Sequence, residues 1–141
     1  MHPVPSDRPG SALRRLLVPG GLLVVVGAAL AYVGAVDPNR PGHYPVCPFR
    51  ALTGLWCPGC GGLRCARALV HGDLPTALGA NALAVAGFAA CAVLWIAWVV
   101  RSAQGRPFAV RLRPGHQWTV GTLILVFTIV RNFPLGGWLH P

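Results

Sequence analysis

Three long apolar runs, separated by short stretches rich in arginine, proline and glycine, dominate the chain. The first extends from Leu16 to Val36, twenty-one residues without a charge. A helix rising about 1.5 Å per residue covers the roughly 30 Å of a bilayer core over that length. Arg14 and Arg15 precede the run and Ala29-Leu30-Ala31 mimics a cleavage site, so a signal peptide is the competing reading. The run exceeds a signal core and further apolar segments follow it, which favours a retained first helix. The second run, Leu74 to Val100, has twenty-seven charge-free residues, with Trp95 and Trp98 near its far end, at a depth that suits a headgroup belt. Gly72-Asp73 before it reads as a stop for one helix and an N-cap for the next, with Pro75 in the first turn.

The third run, Gln117 to Val130, has only fourteen residues before Arg131. It reaches spanning length if Arg131 snorkels or faces protein and the helix continues through Asn132 to Leu139. A re-entrant or tilted segment broken at Pro134 is the alternative. The expected fold is therefore all-α and membrane-embedded, a single domain over 16–140 with spans near 16–36, 76–100 and 117–139. Residues 1–15 read as a disordered cytoplasmic tail.

Composition agrees with that class. Hydrophobic residues make up 54% of the 141, and charged residues 11%, less than half the share of a soluble domain. Mean hydropathy is positive, at +0.56. The net charge of +9 comes from twelve arginines against three aspartates, with no lysine and no glutamate. A basic excess of this size can signal nucleic acid. Here the arginines sit in short polar stretches between apolar runs, the distribution expected beside anionic lipid headgroups, so no nucleic-acid partner is expected. The tail holds Arg8, Arg14 and Arg15, and the 101–116 loop holds Arg101, Arg106, Arg111 and Arg113. Arginine counting puts both in the cytoplasm, which leaves the cysteine-rich segment 43–72 outside. The bias is tempered by Arg40, Arg50, Arg64 and Arg67 within 37–75. No internal repeat, phosphate-binding glycine loop, His-Glu metalloprotease helix or serine-nucleophile elbow is present.

Candidate chemistry concentrates between the first two runs. Cys47, Cys57, Cys60 and Cys65 fall within nineteen residues, while Cys91 lies mid-run and reads as a packing residue. Cys57-Pro58-Gly59-Cys60-Gly61 has the spacing of a metal knuckle, and tetrahedral zinc would draw further ligands from Cys47, Cys65, His43 or His71. A Cys-x-x-Cys pair opening a helix also suits a thiol–disulfide oxidoreductase using Cys57 and Cys60, although no βαβ pattern accompanies it. Structural disulfides in an oxidising exterior are the third reading. After the motif, a helix over 62–71 would lie at the membrane surface, with Arg64, Arg67 and His71 on one face as an anion-binding candidate or simply on lipid phosphates. Asn81 and Arg131-Asn132 are costly in lipid and normally face protein or a water-filled cavity. All three are expected on the side of the cysteine segment, where they could form a polar pocket with the Cys57–Arg64 turn.

The run Cys47-Pro48-Phe49-Arg50-Ala51-Leu52-Thr53-Gly54-Leu55-Trp56-Cys57-Pro58-Gly59-Cys60-Gly61-Gly62-Leu63-Arg64 resembles the signature of a bacterial membrane-protein family known as domain of unknown function 2752. Ala68-Leu69-Val70-His71-Gly72-Asp73-Leu74 and Asn81 extend the likeness across about 45–100, with a weaker echo at Arg131 to Pro134. The family pattern stresses Cys47, Cys57, Cys60 and Arg64 and does not call for Cys65. The resemblance implies a small multi-helix protein of the bacterial cytoplasmic membrane, without an activity. The resulting expectation is a Cys-Pro-x-Cys-Gly turn, built as a disulfide or a metal element such as zinc, that positions Arg64 for a partner or small anion. The alternatives are the oxidoreductase and an accessory subunit of a larger membrane complex, with a membrane protein or a second copy of the chain as partner.

Overall fold

A computed structural model describes residues 9–40, 42–110 and 113–133. Among them are five helices and no strand: α1 (Pro9–Ala35), α2 (Pro48–Thr53), α3 (Gly62–Val70), α4 (Leu74–Ala103) and α5 (Pro114–Asn132). α1 takes in residues 9–15, which composition assigns to the tail. α4 starts where its signals predict. Asp73 caps it by accepting from the Thr76 N–H at 3.0 Å, and Pro75 occupies the first turn.

α1 and α4 run antiparallel. Near one end the Trp95 indole donates to the Pro19 carbonyl at 3.2 Å, which gives the indole N–H the partner it needs on an apolar helix. At that same end the Arg15 guanidinium lies where a Cβ on Gly105 would stand, and Gly105 has φ +70°. α3 bridges the other end. Cys65 and Ala68 of α3 form a small core with Ala77 and Ala80 of α4, backed by Leu69, Ala84 and Val85. Such short side chains let helices approach closely where large residues could not. Gly34 does the same on α1, since a Cβ there would lie 3.0 Å from Val70 Cγ1.

Among the described residues, two helices are long and apolar enough to cross a membrane: Leu13–Ala35 and Leu74–Ala103. Only 6% and none of the residues in their apolar stretches, respectively, are fully buried, unlike the core helices of a soluble domain. The expected third span is corrected by this result. The run does fold as α5, but its first turn is Pro114-Gly-His-Gln and its last contains Arg131-Asn132, so the nineteen-residue helix is too polar to qualify. The continuation to Leu139 and the break at Pro134 lie outside the described residues. α5 stands apart from α1, α3 and α4 along most of its length: every residue from 113 to 126 is exposed.

Candidate metal centre

The centre is built on two short loops at the α3 end. Cys47 precedes α2, a six-residue helix that begins with Pro48 and closes on Gly54 at φ 72°. Proline at the first position and glycine just past the last are its start and stop signals. Cys57 and Cys60 form the next turn, closed by the Cys60 N–H to the Cys57 carbonyl at 3.1 Å and the Gly62 N–H to the Gly59 carbonyl at 3.0 Å. Gly61, at φ 82°, turns the chain into α3, a conformation that a side chain would strain.

These loops bring three free thiols together. Cys57 Sγ lies 3.0 Å from Cys60 Sγ and 3.5 Å from Cys47 Sγ, and all three sulfurs fall within 4.8 Å of one another. Zn–S bonds of about 2.3 Å at tetrahedral angles separate sulfurs by about 3.8 Å, so small rotations would let one ion reach all three. Burial and the adjacent Cys57 thiol push Cys60 up to about 11. Cys47 is held below its ordinary value, chiefly by the Arg50 backbone N–H, although no full capping bond forms. The other sequence candidates for ligation stay away. Cys65 is fully buried in the α3–α4 core, where burial raises its thiol. His43 is exposed. Cys91, expected to be a packing residue and not a ligand, is exposed on α4, where it lines an apolar groove of about 590 Å³ shared by α1, α3 and α4.

Three polar side chains from the apolar helices hold the main chain of this turn. Asn81 breaks α4, with φ −168° and ψ 94°. In an unbroken helix the Ala84 N–H and the Ala80 carbonyl would bond to each other. Here Asn81 Oδ1 accepts from the Ala84 N–H at 2.9 Å, while the Ala80 carbonyl accepts from Arg131 Nη2 at 3.0 Å. Asn81 Nδ2 then donates to the carbonyls of Pro58 (2.8 Å) and Cys60 (3.0 Å). Arg131, fully buried, also donates from Nη1 to the Cys60 carbonyl at 2.8 Å and, more weakly, to the Cys57 carbonyl at 3.5 Å.

Asn132 clamps Trp56, accepting its N–H at 2.8 Å and donating to its carbonyl at 2.9 Å. The Trp56 ring carries the Arg50 guanidinium 3.1 Å above its centroid, and Arg131 lies 5.8 Å from the same centroid. Asn81, Arg131 and Asn132 are thus brought together with the cysteine turn, through bonds to its backbone.

The arginine face of α3 is divided. Arg67 donates to the Gly34 carbonyl at 2.8 Å and approaches Asp37 at 3.6 Å, stitching α3 to the end of α1, where helix carbonyls lack partners. His71 Nδ1 lies 2.8 Å from the Arg67 carbonyl. Arg64 is exposed and makes no hydrogen bond or ion pair among the described residues. Of the three, α1 engages Arg67, while Arg64 and His71 stay exposed. Sequence reasoning missed α2 and the Arg50–Trp56 stack; Pro48 and Gly54 were the available signals for the first, and nothing local announced the second.

Comparison with known proteins finds a family likeness over part of this site. Residues 47–95 match the family model described as Protein of unknown function (DUF2752). The matched stretch opens on Cys47, takes in α2, α3 and the Asn81 break, and ends at Trp95; Arg131 and Asn132 lie beyond it. No curated protein and no solved structure matches the chain.

Proposed function

We propose that this is a membrane protein whose Cys47, Cys57 and Cys60 hold one thiophilic metal ion at the membrane surface, with zinc the first candidate. The observation that carries the reading is the convergence of three sulfurs within 4.8 Å. A disulfide needs two thiols and would leave the third idle, whereas an ion uses all of them. Soft thiolate donors favour zinc and similar ions over calcium or magnesium. The buried Arg131 guanidinium supports the charge such a centre would carry, since thiolates are the ligating form.

Membrane residence is supported by two apolar helices whose residues are almost all exposed or only partly covered, a surface that water would not tolerate. From Asn81 to Arg101 is twenty residues of α4, about 30 Å, so the centre lies near one edge of the hydrocarbon core. Arg14, Arg15, Arg101 and Arg106 mark the opposite end, which we assign to the cytoplasm; the centre then faces outward, with Arg64 exposed beside it. Metal analysis of the purified full-length protein tests the reading. About one zinc per chain is expected, lost on Cys57→Ser. A metal-free protein with a Cys57–Cys60 disulfide would overturn it.

A further inference from the structure

α5 is held to the rest of the fold in an unusual way. Its residues 114–126 are all exposed, and among the described residues its hydrogen bonds to other elements come from two adjacent residues, Arg131 and Asn132. Both grip the backbone of the proposed centre. Arg131 donates to the carbonyls of Cys57 and Cys60, and Asn132 pairs with both polar backbone atoms of Trp56, the residue before Cys57.

We infer that α5 is a metal-responsive element, docked when the three-thiol centre is filled and released when it is emptied. The inference rests on the metal reading above. An ion on Cys57 and Cys60 fixes the turn whose carbonyls Arg131 reads, and fixes Trp56 in register for Asn132. Without an ion, three separate thiols leave that turn free to sample other shapes. The guanidinium adds an electrostatic link, since it sits fully buried beside a centre whose ligands are anionic when metal is bound. Little else competes with this control, because residues 113–126 bury no side chain against α1, α3 or α4 that would hold α5 in place. Coupling of this kind is reciprocal: whatever metal does for the latch, the latch does for metal affinity.

The test uses the full-length protein in lipid nanodiscs. Nitroxides are attached through non-natural residues at exposed Val93 on α4 and exposed Leu123 on α5, so no cysteine is consumed. The α4–α5 distance distribution is measured with zinc and after chelation, with zinc content determined on the same samples. A narrow distribution with zinc that broadens on chelation is expected. Asn132→Ala and Arg131→Leu should broaden it with zinc present and weaken zinc binding about tenfold or more. One zinc per chain with the same distribution in both states overturns the inference and leaves the metal reading intact. No bound zinc at all removes the metal reading, and this inference with it.

Discussion

Replacing Asn81 by leucine keeps the side-chain volume and removes three hydrogen bonds at once, one buried and two partly buried. The Cys60 carbonyl retains Arg131, so it is not stranded. The Pro58 carbonyl and the Ala84 N–H lose the partners that Asn81 supplies. A buried polar group left unpaired costs about 1–3 kcal/mol, which gives a gross penalty of about 2–6 kcal/mol for the two. A straightened helix would let the Ala84 N–H reach back toward the Ala80 carbonyl, so the lower end, about 2 kcal/mol, is the safer expectation. Borne by the ordered metal site, that corresponds to about a 30-fold loss of zinc affinity. The assay is competition of the purified variant against a calibrated zinc chelator, with thermal unfolding on the same samples. Asn81→Asp is the informative companion, because it keeps an acceptor for Ala84 and sets a carboxylate against two carbonyls. It should lose affinity at least as severely as the leucine variant. Zinc affinity within threefold of the parent for Asn81→Leu, together with an unchanged melting midpoint, would refute the claim that Asn81 organises the turn.

Serine at Cys47, Cys57 or Cys60 should each abolish stoichiometric zinc binding, while Cys65→Ala and Cys91→Ala should retain it, as read by metal analysis after gel filtration. Arg67→Ala removes a charged donor from the Gly34 carbonyl and a half-exposed ion pair worth little. It should cost about 1 kcal/mol in unfolding free energy with zinc affinity unchanged, because it loosens α1 against α3 and leaves the turn alone. Thr76 holds Asp73 below its ordinary value through side-chain and backbone hydrogen bonds. A lowered value means that the cap stabilises above the unfolded value of 3.8 and fades as pH falls through the lower folded value. Melting curves of the parent and Asp73→Asn should therefore run parallel from neutral pH to about 4 and converge in more acidic buffer.

The apolar runs of α1 and α4 were legible because a membrane-length helix needs little besides length and hydropathy. Asn81, Arg131 and Asn132 stood out for the complementary reason, since polar groups in apolar runs require partners. Their partners were harder to read. All three address main-chain atoms, and backbone carbonyls leave no trace in a sequence. The break at Asn81 is likewise invisible, because it depends on Arg131 arriving from fifty residues away to take the Ala80 carbonyl. Arg67 and His71 share a face with Arg64 on any helical wheel, yet only the approach of α1 through Gly34 and Asp37 decides that Arg67 is engaged and Arg64 is not. α5 shows the limit of counting apolar residues. Its fourteen-residue run does form a helix, but Pro114 to Gln117 and Arg131-Asn132 make the whole too polar for a span. What its C-terminal end does instead is grip the cysteine turn.

Zinc K-edge X-ray absorption on the full-length protein, purified without added oxidant, tests the central claim most directly. The expected spectrum shows three sulfur neighbours at about 2.3 Å, falling to two in Cys47→Ser if the ion survives there at all. A protein without bound metal, with a mass two hydrogens short because Cys57 and Cys60 are joined, would contradict the three-thiol centre.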